Sequence, residues 1–168
     1  MKEIEIRDRT PRLVGQLLDV WEKSVRETHL FLSGGEIEEI KKYVPAALAA
    51  VPHLIIETDA EGSPVAFMGI EGGKLEMLFL APRARGRGLG RKLLEYGIEK
   101  YGIKELTVNE QNPQARGFYE HMGFRVRGRS ELDEQGNPYP ILFMEKRAGG
   151  SIAQETEPVS EAISRLFL

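Results

Sequence analysis

Hydrophobic and polar side chains recur with two different periods along the chain, and these periods predict its elements. Residues 3–7 alternate charged with apolar side chains, which predicts a first β-strand. Apolar side chains at helical spacing over residues 10–27 predict a helix that begins at Thr10-Pro11 and has Trp21 on its core face. The same spacing predicts a second helix over residues 36–50, which Pro45 is expected to split or kink.

Three short strands follow, and turns that contain glycine separate them. These strands are His53–Thr58, Pro64–Glu71 and Lys74–Leu80, with the turns at 59–62 and 72–73. Apolar residues then return to helical spacing over Leu89–Tyr101, and residues 103–108 form the next predicted strand. A strand–helix–strand unit with a short exit predicts a right-handed crossover between two parallel neighbours.

The last predicted unit is a short helix followed by two strands. Asn112 is a typical N-cap with Pro113 in the first turn, and Gly123 is placed to end the helix. Residues 124–131 and 139–146 are predicted as strands around a turn at 133–138. The element order is therefore β-α-α-β-β-β-α-β-α-β-β, which defines a mixed α/β fold of about seven strands and four helices.

Composition indicates one domain of ordinary size and narrows the chemistry it can perform. The chain has 168 residues, 41% of them hydrophobic, and a formal charge of −3. It contains no cysteine, which excludes disulfides, thiolate metal sites and a cysteine nucleophile. No apolar run is long enough for a signal peptide or a membrane span, so we expect a cytoplasmic protein that does not bind membranes. The acidic total argues against general nucleic-acid binding.

One loop combines glycines with a local concentration of positive charge. Between Arg83 and Lys92 there are five basic side chains and no acidic one, directly after an apolar strand. Gly86, Gly88 and Gly90 leave the backbone N–H groups open to a bulky anion, and the following helix directs its positive end to the same place. This combination predicts a pyrophosphate site.

The glycine spacing distinguishes between classes of phosphate ligand. A Walker loop needs Ser or Thr after its lysine, and a dinucleotide fingerprint needs glycine where Arg91 stands. Neither nucleotide motif is present. The pattern Arg85-x-x-Gly88-x-Gly90 instead resembles the acyl-coenzyme A motif of the GNAT N-acetyltransferase family. The alternative is a solvated basic loop without a ligand.

A second motif strengthens this resemblance. The pattern Asn-x-x-Ala-x-x-Phe-Tyr-x-x-x-Gly-Phe over residues 112–124 closely resembles the second GNAT signature and lies at the proper distance after the first. The resemblance covers residues 3–147, and several stretches are similar to YjaB-type bacterial members of the family. It implies the GNAT fold, with a central mixed, twisted sheet flanked by helices, in a domain at residues 1–147.

The resemblance also implies the activity and the residues that perform it. A GNAT enzyme moves an acetyl group from acetyl-CoA to a primary amine by direct attack in a ternary complex, without a metal. Tyr119 matches the general acid of the family, and its phenol can protonate a thiolate. Glu76 and His29 are the candidates for the base. The positions implied to bind acetyl-CoA are Leu78, Phe79, Leu80, Arg85, Gly86, Arg87, Gly88, Leu89, Gly90, Arg91, Asn112 and Tyr119.

Several alternative interpretations of individual residues stay open beside the acetyltransferase hypothesis. His29 lies in a stretch that ends in Gly34-Gly35 and is predicted as a flexible lid, although a capping or packing histidine would look the same. Glu57 and Glu71, like Glu76, alternate with apolar neighbours and either face a cleft or are solvated. A nucleic-acid site would rest on the arginines of the loop and of residues 125–129 and conflicts with the acidic total.

The acceptor and the assembly are less defined. The acceptor is a small-molecule amine or a protein or peptide amine, and a homodimer is a family expectation. A member of the fold can also bind acyl-CoA without acetylating anything. Residues 148–168 depart from the family pattern, and we expect a linker followed by a short amphipathic or disordered tail.

Overall fold

The computed structural model describes residues 1–147, and the predictions for 148–168 lie outside the described residues. Seven strands form one sheet in the order β1-β2-β3-β4-β5-β7-β6. All neighbours in it are antiparallel except β4 and β5, which are parallel as predicted. The strands are β1 (Lys2–Glu3), β2 (His53–Thr58), β3 (Pro64–Glu71), β4 (Lys74–Leu80), β5 (Glu105–Asn109), β6 (Phe124–Ser130) and β7 (Ile141–Lys146).

The four predicted helices are all present, and the second is divided. The α-helices are α1 (Pro11–Thr28), α2 (Gly34–Lys41), α3 (Val44–Ala50), α4 (Leu89–Tyr101) and α5 (Pro113–His121), with single 3-10 turns at Ile6–Asp8 and Pro82–Ala84. Pro45 lies in the first turn of α3, where its missing N–H costs nothing, so the break falls just before it. No helix within residues 1–147 has the length and apolar character needed to cross a membrane.

Side-chain caps set the helix starts. Thr10 accepts a hydrogen bond from the Leu13 amide at 3.2 Å, and Asn112 accepts one from the Ala115 amide at 3.3 Å. Ser33 and Glu36 form a reciprocal capping box at the start of α2. Gly34 and Gly35 therefore lie in the first turn of α2, which begins two residues before the predicted start at Glu36.

The first strand is shorter than predicted. Its pairing with β2 covers Lys2 and Glu3, and the chain then turns at Ile6–Asp8 instead of continuing as a strand to residue 7. Two further strands start two residues later than predicted, β5 at Glu105 and β7 at Ile141, and the ends of β5 and β6 each shift by one residue. By contrast, β2, β3 and β4 have the predicted bounds, because the left-handed glycines Gly62, Gly72 and Gly73 fix their turns.

The sheet separates two apolar cores. One face packs against α1, α2 and α3 and includes the fully buried Trp21, as predicted. The other face packs against α4 and α5. Arg9 closes the C-terminal end of α3, where its guanidinium donates to the carbonyl oxygens of Leu48 at 3.0 Å and Val51 at 2.6 Å. These contacts hold the helical layer against the sheet.

The parallel pair β4 and β5 separates soon after it forms. Within the described residues its register covers only Lys74 with Glu105 and Leu75 with Leu106. Beyond that point the two strands run apart toward the ends that carry the basic glycine loop and Asn112. The resulting opening, between the halves of one continuous sheet, positions the candidate site.

Candidate active site

A cavity of about 400 Å³ lies where β4 and β5 separate. Side chains from α1, β4, the basic glycine loop, α4 and α5 meet there, so one cleft joins segments far apart in the sequence. Its lining consists of Ser24, Thr28, His29, Leu78, Phe79, Leu80, Arg85, Gly86, Gly88, Leu89, Gly90, Arg91, Asn112, Gln114, Ala115, Phe118 and Tyr119. Such a cleft, mainly apolar with a few convergent polar groups, is typical of a ligand site.

The basic glycine loop presents backbone N–H groups to one end of the cavity. Gly86 and Gly88 adopt left-handed conformations, with φ of +73° and +76°, and α4 begins directly after Gly88. The first-turn amides of a helix have no partner inside the helix and carry its positive dipole. A Cβ on Gly88 would meet no atom within 4 Å, so this glycine is required by its backbone conformation and leaves open space above the loop.

The arginines of the loop differ in where they point. Arg85 is half-buried in the cavity wall, and its Nη2 donates to Ser24 Oγ on α1 at 2.9 Å. Burial lowers the pKa of Arg85, but an arginine stays charged in any case. Arg91 pairs with Glu95 at 2.7 Å, and Arg83 pairs with Asp59 at 3.0 Å. Arg85 is thus the cation built into the site.

Tyr119 lies at the inner end of the cavity on α5. It is 3% exposed and packs edge-on against Phe118 and Phe124. Burial raises the pKa of its phenol above the ordinary value, so the hydroxyl keeps its proton at neutral pH. Because the phenol stays neutral it has a proton to donate, although the raised pKa makes it a weaker acid than an exposed tyrosine.

His29 caps the C-terminal end of α1 and reaches the same cavity. It is 3% exposed, its Nδ1 lies 2.8 Å from Thr28 Oγ1, and its ring stacks obliquely against Phe31. Phe31 in turn contacts Tyr139, whose hydroxyl donates to Glu36. The α1–α2 loop is therefore joined to the segment before β7, and His29 is held in a packed environment.

Glu76 does not line the cavity. A register shift between β3 and β4 leaves it out of the strand pairing, and it is 5% exposed. Burial raises the pKa of its carboxyl to about 7, and outweighs the opposing effect of Lys74, whose Nζ lies 3.8 Å away. Glu76 precedes Leu78 by two residues in β4 and is therefore further from the glycine loop along the strand. Glu57 and Glu71 also lie outside the lining, and Glu57 pairs with the N-terminal amine at 2.9 Å.

The structure gathers the predicted site residues with two exceptions. Arg87 and Glu76 lie outside the cavity lining, whereas all the others contribute to it. Sequence reasoning missed Ser24 and Thr28, which stand one helical turn apart on α1 and interrupt its apolar face. It also missed the role of Ala115 and Phe118 as cavity wall, although both belong to the second motif. The sequence did contain one indication of this part of the site, namely the polar pair Ser24 and Thr28 on the apolar face of α1.

The arginines of residues 125–129 lie beside carboxylates, and Arg127 is 3.9 Å from Glu105. Arg125 pairs with Glu145, and Arg129 forms two hydrogen bonds to Glu110. Within residues 1–147, no three His, Asp or Glu side chains are grouped so that they could hold a metal ion.

Comparison with known proteins agrees with this geometry. The sequence model of the acetyltransferase (GNAT) domain matches residues 36–166, and the chain belongs to the GNAT acetyltransferase family. It is an enzyme of the N-acetyltransferase class.

The similarity extends to one bacterial subgroup, as the sequence stretches implied. The chain is 42% identical over 127 residues to the peptidyl-lysine N-acetyltransferase YjaB of Salmonella typhimurium, which covers 76% of this chain and 87% of that protein. The solution structure of apo-form YjaB from Escherichia coli superposes with a TM-score of 0.75 and 35% identity, over 88% of this chain and 97% of that one.

A more distant neighbour shares the fold. It is the PaiA N-acetyltransferase of Thermoplasma acidophilum in complex with coenzyme A, with a TM-score of 0.58 and 22% identity over 88% of this chain and all of that one.

Proposed function

We propose that the cavity binds acetyl-CoA and that the enzyme transfers its acetyl group to a primary amine. The single observation that carries this proposal is that the left-handed glycines, the start of α4 and buried Tyr119 all border one cavity. Open space above Gly86 and Gly88 fits a pyrophosphate against the loop amides. Leu78, Phe79 and Leu80 border the same cavity on the open side of β4, where backbone groups are available to an extended pantetheine arm.

The chain's own residues then have distinct roles. The loop amides and Arg85 hold the pyrophosphate, and a backbone amide near Phe79 polarises the thioester carbonyl. Tyr119 donates its proton to the departing sulfur. A base must take one proton from the acceptor ammonium, and His29 and Glu76 are the candidates. The thioester supplies an activated acetyl group, so the enzyme needs no nucleophile of its own.

For the acceptor we propose a lysine side chain of a protein or peptide. Support comes from the similar YjaB proteins, which are peptidyl-lysine N-acetyltransferases. The proposal includes a cytoplasmic site of action, because the donor is an intracellular thioester. A small-molecule amine is the alternative acceptor, and a panel of lysine peptides and polyamines separates the two.

The test is a calorimetric titration of the purified protein with acetyl-CoA. Gly88→Glu places a carboxylate in the proposed anion site, and we expect it to abolish micromolar binding. Gly62→Glu is the matched control, because Gly62 has a similar left-handed φ of +84° in a turn outside the cavity. Binding that survives Gly88→Glu, or no binding by well-folded wild type, would remove the proposal.

The alternative that the sequence left open, an acyl-CoA-binding module without turnover, conflicts with membership of the N-acetyltransferase class. The buried Tyr119 favours the enzyme, because a sensor has no need of a proton donor at the inner end of its cleft. Turnover of any amine by the wild type, lost in Tyr119→Phe while acetyl-CoA affinity is kept, decides for the enzyme.

The domain boundary at residue 147 and a homodimer are further proposals from the family resemblance. Light scattering and thermal unfolding of the full chain and of a chain lacking residues 149–168 test both. An unchanged oligomeric state and melting temperature after the deletion would exclude a role of the tail in assembly or stability.

A further inference from the structure

The Thr28 hydroxyl lies within hydrogen-bond distance of both the Ser24 carbonyl oxygen and the ring of His29. Its Oγ1 is 2.8 Å from the Ser24 carbonyl oxygen, and the same Oγ1 is 2.8 Å from His29 Nδ1. Both distances are those of good hydrogen bonds. A threonine hydroxyl has a single proton, so it can donate in only one of these two contacts.

The chemistry of the partners decides the direction of each bond. A carbonyl oxygen only accepts, so the hydroxyl proton must go to Ser24, and Thr28 Oγ1 must then accept from the ring. His29 Nδ1 therefore carries a proton. In the neutral imidazole the other nitrogen, Nε2, then holds the basic lone pair. The two distances from Thr28 Oγ1 thus favour one tautomer of the His29 ring.

The His29 ring belongs to the wall of the proposed active-site cavity, and its Nε2 atom is buried from solvent. His29 borders the cavity together with Tyr119, and its ring is held by Phe31. Within residues 1–147, the charged or titratable groups near His29 include Arg85 and Arg91 in the cavity lining, Glu27 beside Arg85, and Glu36 behind Phe31 and Tyr139.

We infer that His29 Nε2 is the base that takes a proton from the acceptor ammonium, with Thr28 as the residue that sets its tautomer. This inference rests on the proposed acetyl transfer. His29 removes one proton from R–NH₃⁺, the freed amine forms the C–N bond, and the C–S bond breaks. Tyr119 protonates the thiolate, and the surplus proton on the new amide nitrogen restores the Tyr119 phenol. One proton per turnover leaves through His29.

Geometry favours His29 over Glu76 for this step. His29 borders the cavity beside the proposed acid, whereas Glu76 lies outside the lining with Lys74 as its neighbour. The base also stands on α1, which is joined to the glycine loop, since Ser24 accepts from Arg85 through its side chain and from Thr28 through its carbonyl. One short chain of hydrogen bonds therefore links the proposed pyrophosphate contact to the proposed base.

The first test reads the tautomer without any activity measurement. The chain has three histidines, so His53→Gln and His121→Gln variants assign the ring signals in an NMR spectrum of the full-length protein. We expect His29 to carry its neutral-state proton on Nδ1, to keep it there in Thr28→Ser, and to lose the preference in Thr28→Val. A proton on Nε2 of the wild-type ring would overturn the inference.

The second test separates the base from the rest of the reaction. We expect His29→Gln to keep its acetyl-CoA affinity within about twofold and to lower kcat/KM on a lysine peptide roughly 10²-fold or more at pH 7. The gap should narrow near pH 10, where the lysine amine begins to lose its proton unaided. His121→Gln is the control and should match the wild type.

Failure of the inference and failure of the proposed function give different results. A His29→Gln enzyme with wild-type kcat/KM and pH profile would remove His29 as the base while acetyl transfer stands. Absence of acetyl-CoA binding by the wild type would remove the proposed function, and the inference with it. Thr28→Val, which leaves the ring in place, should lower kcat with a smaller effect on acetyl-CoA affinity.

Discussion

Lys74 and Glu76 lie on the same strand, with 3.8 Å between Nζ and Oε1. The effect of burial on the pKa of Glu76 is nevertheless larger than the effect of its attraction to Lys74. The separation is too long for a hydrogen bond, and Lys74 also lies 3.3 Å from Glu134. The shared ammonium therefore leaves the Glu76 carboxyl in a site that disfavours its charge. The pKa of Glu76 rises to about 7 from an ordinary 4.5 as a result.

This shift predicts that Glu76→Gln stabilises the protein increasingly as the pH rises. Below pH 4.5 the carboxyl is protonated in both states, so it adds no pH dependence there. Between 4.5 and 7 the unfolded chain releases a proton that the folded protein retains, and the stability of the wild type falls. The advantage of the variant should grow over this window toward a ceiling of roughly 3 kcal/mol.

Urea unfolding at several pH values between 4 and 8 measures this difference. The exposed Glu99, changed to Gln, is the control and should give a curve parallel to that of the wild type. Parallel curves for Glu76→Gln and the wild type would mean that the buried carboxyl titrates like an exposed one.

Arg9 should be essential to stability and irrelevant to catalysis. Its guanidinium donates to five carbonyl oxygens, those of Ile4, Leu48, Ala49, Val51 and Pro52. A lysine cannot reproduce this fork, so Arg9→Lys should lower the free energy of unfolding by about 2 kcal/mol. Chemical denaturation measures the loss, and exposed Arg7→Lys is the control. A change in acetyl-CoA affinity would contradict the separation of this cap from the site.

Two glycines inside helices should respond in opposite directions to the same substitution. A Cβ on Gly97 of α4 would lie 2.4 Å from Ile103 Cδ1 and 3.1 Å from Met68 Cε, so Gly97→Ala should cost about 1–3 kcal/mol through overpacking. A Cβ on Gly15 of α1 meets nothing within 4 Å, and Gly15→Ala should gain up to about 1 kcal/mol from helix propensity. Adding Ile103→Val to Gly97→Ala should recover part of the loss.

Tyr119→Phe should separate binding from chemistry. The change removes one oxygen from a buried ring and leaves its contacts with Phe118 and Phe124. We expect kcat to fall about 10²-fold or more with acetyl-CoA affinity within twofold, because only the proton donor is lost. Phe118→Leu is a useful comparison, since it alters the cavity wall without touching the donor and should change affinity first.

Much of the fold could be predicted because its signals are local. Gly62, Gly72 and Gly73 mark turns by their backbone freedom, and Thr10 and Asn112 mark helix starts by their side chains. The true extent of β1 could not be predicted, since charged and apolar side chains alternate whether the chain continues as a strand or turns at Ile6–Asp8. The length of β1 is set by its pairing with β2, about fifty residues away in the sequence, and the local pattern contains no information about that pairing.

The candidate site also has parts that could be predicted from local sequence and parts that could not. The glycine loop and the α5 motif are each a continuous stretch of sequence, so each can be found by its pattern. The family resemblance then implies that both border one cavity. The link from Arg85 to Ser24 spans 61 positions and depends on how α1 lies across the sheet. Glu76 lies at a register shift between β3 and β4, and the alternation of charged and apolar residues along β4 does not reveal such a shift.

The parting of β4 and β5 gives the molecule a strand edge in its interior. Edges at the rim of a sheet invite other chains to pair with them, whereas an edge inside a narrow cleft admits only a slender, extended partner. In the proposed reaction the donor meets main-chain groups at this interior edge, and side-chain substitutions leave those groups in place.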